Sequence, residues 1–427
     1  MDTAKLHQLF LECQSVSTDT RKITPNALFF ALKGENFNGN AYAEEALNQG
    51  AKFAVVDEAA YQTSEHIILV DDALKALQTL ATFHRQYLKT PIIALTGSNG
   101  KTTTKELINA VLSQKYKTIA TVGNLNNHIG VPLTLLSFSS DTELGIVEMG
   151  ANHQKEITFL CRIAQPDFGL ITNYGKAHLE GFGGVEGIIK GKSEMYDFLR
   201  SHHKTAFVNA DDPIQIEKTK GIKRQIFGTS EQDVSVTFME ADPFVKLSYN
   251  DLDIQSQLIG DYNFTNIAFA VAIGHYFKVE KSAIKKAIEG YVPSNNRSQI
   301  KSIGTNKIIL DAYNANPTSM RAALLNLSRQ TGDKIAFLGD MFELGDAAFE
   351  EHQNIQKLAD SLDINTITCI GKHFYEAAIA SNKITHFETF EDFKEASELS
   401  ELKNKTILIK GSRGMAMERI IDLLPNP

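Results

Sequence analysis

The chain has few cysteines, no excess of positive charge and no long apolar run, and each of these features argues against a class of protein. Its 427 residues hold Cys13, Cys161 and Cys369, an odd set without a C-x-x-C pair, which argues against a disulfide framework or a zinc site. The net charge of −8 argues against a protein whose main task is to bind nucleic acid. No apolar run approaches the roughly 20 residues that a membrane span needs, and no signal peptide is visible, so we expect a cytoplasmic protein.

What remains is the composition of an ordinary globular chain, with 43% apolar and 22% charged residues. A chain of this length is expected to form two or three domains. Alternating strand and helix patterns predict three α/β domains: a small one over 1–89, a central one with a mostly parallel sheet and a phosphate-binding loop over 90–297, and a Rossmann-like one over 298–427. We expect a hinge at 293–297, an antiparallel excursion at 229–256 and a largely helical stretch at 258–287.

The most informative stretch follows an apolar strand predicted at 92–95 and leads into a helical pattern. It reads Thr96, Gly97, Ser98, Asn99, Gly100, Lys101, Thr102, Thr103. A strand, a glycine turn and a helix bring backbone N–H groups to a phosphate, with Lys101 on the terminal phosphates and a threonine hydroxyl on Mg²⁺. Leu95 stands where the usual motif has its first glycine, so an ordinary left-handed turn with a solvated lysine is the alternative.

Three more side chains have both a functional and an ordinary interpretation. Glu148 ends a strand predicted at 144–147, where an acid can hold Mg²⁺ or simply be solvated. His178 follows a strand predicted at 168–172, but a lone histidine is more often structural. Lys192 has the pattern of a cation on a helix surface.

Two polar clusters could face ligands. The first, Asn126, Asn127 and His128, belongs to a run of turn-forming residues that could equally be a plain loop. The second follows three strands of the third domain, predicted at 308–310, 335–338 and 407–409. Polar residues at the carboxyl ends of such strands form ligand crevices, although αβ turns need the same residue types. The pair Lys410 and Arg413 suits an anionic substrate end.

Over essentially the full chain these segments resemble the Mur ligases, the ATP-dependent amide-forming enzymes of peptidoglycan assembly. The run 96–103 is similar to the family's phosphate loop. The runs 123–132, 148–152, 310–317, 339–345 and 410–414 are similar to the branch that adds D-alanyl-D-alanine. Departures include Asn40 where a histidine is common and Gly191 where alanine is usual.

The resemblance implies residue roles that the patterns alone leave open. Thr102, Glu148 and His178 would hold Mg²⁺, with Lys192 as a carbamate, although Lys190 lies close enough to be the modified residue instead. ATP would contact the phosphate loop and the residues Asn263 at the adenine, Arg297 at the γ-phosphate and Asp311 at the ribose. Substrate contacts would come from Ser17, Asp19, Arg21, Lys33, Gly34, Asn126, Asn127, His128, Asn314, Asn316, Lys410 and Arg413.

The activity implied is an amide ligation driven by ATP through an acyl phosphate. UDP-N-acetylmuramoyl-tripeptide would bind the first domain and D-alanyl-D-alanine the third, in a monomeric enzyme whose third domain closes on ATP. Two alternatives stay open: a ligase of the same architecture that adds a diamino acid or glutamate, and a nucleotide-gated binding protein that forms no bond.

Overall fold

The computed structural model describes residues 1–228, 233–294 and 296–425. Three of its sheets, each with the helices that cover it, are called the first, central and third layers in chain order. Each of three parallel or mostly parallel sheets is covered by helices, which confirms the predicted fold class. Residues 229–232 of the predicted excursion and Asn295 of the predicted hinge lie outside the described part. Within that part, every helix is too short or too polar to span a bilayer.

The first sheet is parallel and has the order β1-β2-β5-β6, beside a separate β3–β4 hairpin. Its strands are β1 Ser15–Ser17, β2 Ala27–Phe30, β3 Lys33–Gly34, β4 Phe37–Asn38, β5 Ala51–Val56 and β6 Ile67–Leu69. Its helices are α1 Thr3–Leu11, α2 Ala43–Asn48 and α3 Ala73–Leu88.

Helix α3 joins the first layer to the next one. Asp72 caps its start by accepting a hydrogen bond from the Lys75 N–H, and Lys89 ends it in a left-handed conformation. At its C-terminal end, Arg85 donates to the Ala164 carbonyl at 3.2 Å and pairs with Asp167 at 2.7 Å. The helix therefore packs against the central layer as well as its own.

The central sheet is parallel and has the order β12-β11-β10-β7-β9-β8. Its strands are β7 Ile92–Thr96, β8 Thr118–Ala120, β9 Leu144–Glu148, β10 Phe168–Ile171, β11 Thr205–Asn209 and β12 Lys223–Phe227. Its helices are α4 Lys101–Leu112, α5 Gly130–Leu136, α6 Glu156–Ala164, α7 Leu179–Phe182, α8 Val185–Ser201 and α9 Pro213–Lys218. The chain order reverses between β7 and β10, and open α/β sheets bind ligands at such a point.

A small antiparallel sheet follows, made of β13 Val236–Ala241, β14 Phe244–Tyr249 and β15 Leu252–Ile259. It agrees with the antiparallel excursion expected there. The stretch 258–287 is largely helical, as predicted: β15 takes its first two residues, and two helices follow, α10 Asn263–Tyr276 and α11 Lys281–Gly290.

The third sheet has the order β16-β17-β21-β18-β19-β20, and β16 alone pairs antiparallel. Its strands are β16 Gln299–Ile303, β17 Asn306–Asp311, β18 Asp333–Gly339, β19 Thr366–Ile370, β20 Ile384–Phe387 and β21 Lys405–Lys410. Its helices are α12 Pro317–Ser328, α13 Ala348–Ser361, α14 Lys372–Glu376 and α15 Phe390–Ala396. The domain limits at 89/90 and 297/298 stay predictions.

Candidate active site

The phosphate loop lies between β7 and α4 and is held by the end of the neighbouring strand β10. The Ser98 N–H donates to the Asn173 carbonyl at 3.0 Å, and the Asn99 N–H donates to Asn173 Oδ1 at 3.1 Å. The Thr172 hydroxyl donates to the Asn99 carbonyl at 2.5 Å. Neither Thr172 nor Asn173 is among the predicted site residues, although Asn173 ends a predicted strand, where polar residues face ligands. Their position just past the end of an apolar strand was the only available signal.

Gly100 is required where it stands, because its φ is +78° and a Cβ there would lie 2.4 Å from Asn266 Oδ1. The next residue, Lys101, folds its ammonium back to the Gly97 carbonyl at 2.9 Å. Burial lowers the pKa of Lys101, and the nearby Glu148 carboxylate opposes that shift. The loop thus presents a half-buried amine and a helix N-terminus at one point, as a phosphate site needs.

A buried oxygen cluster lies next to the loop at the end of β9. Glu148 accepts from the Thr102 hydroxyl at 2.9 Å and from Asn126 Nδ2 at 2.8 Å. Carboxylate and hydroxyl oxygens are what Mg²⁺ prefers, so this pair fits the ion. Within the described residues there is no group of three or more His, Cys, Asp and Glu placed to hold a metal. Water and phosphate oxygens would complete the coordination of Mg²⁺.

His178 lies at the start of α7 in a left-handed conformation, with φ +55°. Its Nδ1 is in direct contact with Oε2 of Glu343, which comes from the loop after β18. The contact with His178 is the main cause that lowers the pKa of Glu343. The sequence singled out His178 but not its carboxylate partner.

Lys192 is fully buried on α8, whereas Lys190 of the same helix is exposed. The Lys192 ammonium lies 3.4 Å from the Ala151 carbonyl and 4.8 Å from the centre of the Phe182 ring. Burial, and then the positive charge of Lys101, lower its pKa to about 7. The surface-cation interpretation of Lys192 is therefore wrong, because the side chain points into the protein.

Arg297, just before the third sheet, and Lys410, at the end of β21, bring two cations to the same cavity. The Arg297 guanidinium stacks on Tyr313 with its Cζ 3.6 Å from the ring centre. Lys410 is buried and pairs with Asp311 Oδ2 at 2.6 Å. The charge of Lys410 is thus already neutralised, and Arg297 has the more available charge.

One pair of asparagines joins the third layer to the phosphate loop, and two other predicted asparagines make local hydrogen bonds. Asn316 caps α12 and donates through Nδ2 to Asn99 Oδ1 of the phosphate loop at 2.7 Å. Asn127 accepts the Gly130 N–H at the start of α5 at 2.9 Å, so part of the asparagine-rich run serves its own turn. The Asn263 amide is buried and donates to the Ile259 carbonyl at 2.8 Å.

One cavity of about 980 Å³ collects most of the predicted site. The predicted residues that line it are Ser98, Asn99, Gly100, Lys101, Thr102, Thr103, Asn126, Asn127, His128, Glu148, His178, Asn263, Arg297, Asp311, Asn314, Asn316 and Lys410. Its wall does not include Gly97, Lys192, Arg413, Ser17, Asp19, Arg21, Lys33 or Gly34.

The five predicted residues of the first layer make local contacts instead. Arg21 holds both oxygens of the Asp19 carboxylate at 2.9 Å and lowers the pKa of Asp19 to about 2. Lys33 pairs with Asp57 at 2.8 Å and with Glu58 at 2.9 Å. Their role in binding the UDP end stays a prediction.

Models of known protein families match three successive parts of the chain. The matching family models are the Mur ligase family catalytic domain over residues 12–85, the Mur ligase middle domain over 95–274 and the Mur ligase glutamate ligase domain over 296–413. A Bacillus subtilis protein named UDP-N-acetylmuramoyl-tripeptide–D-alanyl-D-alanine ligase is 36% identical over 96% of this chain and 93% of its own length. The chain belongs to the Mur ligase family.

Solved structures of this family have the same fold. A MurF structure from Acinetobacter baumannii has a TM-score of 0.88 and 30% identity, covering 99% of this chain and 98% of its own. MurF from Thermotoga maritima, solved in complex with ADP, has a TM-score of 0.84 and 25% identity over 97% of both chains. The resemblance of the sequence to the Mur ligases is thus confirmed.

Proposed function

We propose that this Mur ligase joins D-alanyl-D-alanine to UDP-N-acetylmuramoyl-tripeptide, with ATP consumed through an acyl phosphate. The observation that carries the proposal is that the phosphate loop and the polar strand ends of the third layer line one cavity. Asn316 even donates a hydrogen bond to the loop itself. The choice of substrates is supported by relatives of that name that match nearly the whole chain.

Charge neutralisation is the first task of such a site. A carboxylate does not react with an amine at neutral pH, because oxide is a poor leaving group. Its oxygen attacks the γ-phosphorus, ADP leaves and an acyl phosphate forms. Two anions must approach in that step, and Lys101 and Arg297 would supply the opposing positive charge. The amine then attacks the acyl carbon, phosphate leaves and the amine loses a proton.

The oxygen cluster at Thr102 and Glu148 would hold Mg²⁺, with His178 as a further ligand. Bound there, Mg²⁺ would neutralise charge on the phosphates. Lys192 would react with CO₂ as a neutral amine to give a carbamate and a proton. With a pKa of about 7, roughly three quarters of this amine is neutral at pH 7.5, against about 0.1% for an ordinary lysine.

The test is product formation from defined substrates. The chain is incubated with ATP, Mg²⁺, D-alanyl-D-alanine and UDP-linked tripeptide, in separate reactions with lysine or diaminopimelate as third residue. We expect phosphate release that needs both organic substrates, and a product with the mass of the pentapeptide. Lys101→Ala should abolish product formation, since the terminal phosphates lose their amine partner.

The alternatives predict different results in the same assay. Turnover with a free diamino acid or glutamate but not with the dipeptide would indicate another ligase of this architecture. Nucleotide binding without an amide product would indicate a binding protein. The monomeric state and the cytoplasmic location stay predictions, which size-exclusion chromatography and cell fractionation would test.

A further inference from the structure

We propose that Glu343 is a positioning residue, supplied by the third layer, that fixes the His178 ring so that Nε2 faces the cavity. The inference deepens the proposed function, because it concerns an expected Mg²⁺ ligand of that site. Its evidence is the direct contact between Oε2 of Glu343 and Nδ1 of His178, across the boundary between the central and third layers.

The loop that carries Glu343 is docked on α7 by more than one contact. The Glu343 carbonyl accepts from the Glu180 N–H at 3.3 Å. Gly345 packs so closely that an added Cβ would lie 3.2 Å from the Glu180 side chain. Glu343 and His178 both have left-handed backbones, with φ of +61° and +55°. Non-glycine residues adopt that conformation rarely, and such residues cluster at functional sites.

The chemical consequence follows from the two ring nitrogens of histidine. A carboxylate can only accept a hydrogen bond, so Glu343 requires a proton on Nδ1. In the neutral ring, Nε2 then keeps its lone pair, and His178 lines the cavity. Metal-binding histidines commonly donate their other nitrogen to a carboxylate in this way. Here the carboxylate comes from a different layer, so docking of the third layer would complete the orientation.

The competing explanation is that Glu343 and His178 only help to hold the third layer against the central layer. A second ion pair across the same boundary provides a control. Lys176 pairs with Glu351 at 2.6 Å across the same boundary, without touching His178. Because the Glu343 side chain is half exposed, its ion pair alone should add little to stability. Glu351→Gln removes an ion pair across the same boundary, from a more buried carboxylate, and leaves the ring partner in place.

The experiment reads the proton position directly. Long-range ¹H–¹⁵N NMR of the full chain with ¹⁵N-labelled histidine is recorded without metal, free and with ADP. The signal of His178 among the 12 histidines is identified by its loss in His178→Asn. We expect the Nδ1–H form in the wild type and in Glu351→Gln, a shift toward Nε2–H in Glu343→Ala, and a partial return in Glu343→Gln, whose amide oxygen still accepts.

A second measurement links the ring to the metal. Glu343→Ala should raise the Mg²⁺ concentration for half-maximal activity by about 10- to 100-fold, as loss of a ligand's hydrogen-bond partner does. Glu351→Gln should leave that concentration unchanged, because the partner of Glu351 is Lys176 and not His178. An Nε2–H ring in the wild type under both conditions, no change in Glu343→Ala, or an equal change in Glu351→Gln would overturn the inference. Failure of ligation with the Nδ1–H result intact would count against the proposed function alone.

Discussion

Replacing Lys192 by methionine should stabilise the protein at neutral pH while removing the amine that the site needs. The side chain is fully buried, and no carboxylate of the described residues is in contact with its ammonium. Methionine is unbranched, of similar length and uncharged, so it suits the same space. The exchange therefore isolates the free energy of burying the amine.

The magnitude follows from the depressed pKa of Lys192. A fall from 10.5 to about 7 corresponds to roughly 5 kcal/mol of destabilisation. Between these values the unfolded chain keeps the proton and the folded chain has released it, so wild-type stability rises with pH. The destabilisation by the buried ammonium is complete well below pH 7 and has disappeared above pH 10.5. We expect Lys192→Met to gain up to about 4 kcal/mol at pH 7 and about 2 kcal/mol at pH 9.

The assay is urea unfolding followed by far-UV circular dichroism, since the chain has no tryptophan to report by fluorescence. CO₂-free buffers keep the carbamate from forming. Lys190→Met is the control, because that lysine is exposed on the same helix and should change the unfolding free energy by less than about 0.5 kcal/mol. A Lys192→Met variant less stable than the wild type at pH 7, or a gap that does not narrow by pH 9, would refute the reasoning.

Three further substitutions test separate parts of the structure. Gly100→Ala forces a side chain into a left-handed backbone against Asn266, so isothermal titration calorimetry should show ATP affinity lowered by about tenfold or more. Glu148→Gln removes a charge from the oxygen cluster, and the Mg²⁺ concentration for half-maximal activity should rise by about tenfold; an unchanged requirement would exclude Glu148 as a ligand. Asp167→Asn weakens two pairs at 2.7 Å, with Arg85 and Lys204, and should lower the unfolding free energy by about 2–3 kcal/mol in urea titrations.

Local patterns were sufficient for the fold class and for the phosphate loop, because both depend on short-range order. Apolar strands such as Ile92–Thr96 stand out, and the loop residues follow directly. Strand β12, Lys223–Phe227, has a largely polar sequence at the edge of its sheet and gave no such signal. Strand β16, Gln299–Ile303, was missed for the same reason.

The burial of Lys192 could have been predicted from spacing. It shares one helical face with Ile188, Met195 and Leu199, all buried, whereas Lys190 lies off that face. The contacts between layers could not have been predicted from spacing. Asn99 and Asn316 are 217 residues apart, and only the packing of two sheets brings their amides together. The same holds for the pairing of Glu343 with His178, since no local rule connects a loop of one layer to a helix start of another.

Helix α3 sets a limit on how the enzyme can be divided into recombinant fragments. It belongs by chain order to the first layer, yet Thr82 and Arg85 donate to carbonyls at the end of α6, and Leu77 and Leu80 are fully buried. A truncated protein that begins at residue 90 would leave an uncovered apolar strip and lose Arg85, one of the two cations that pair with Asp167. Expression of the nucleotide-binding portion should therefore start before Asp72, so that the helix and its cap are retained.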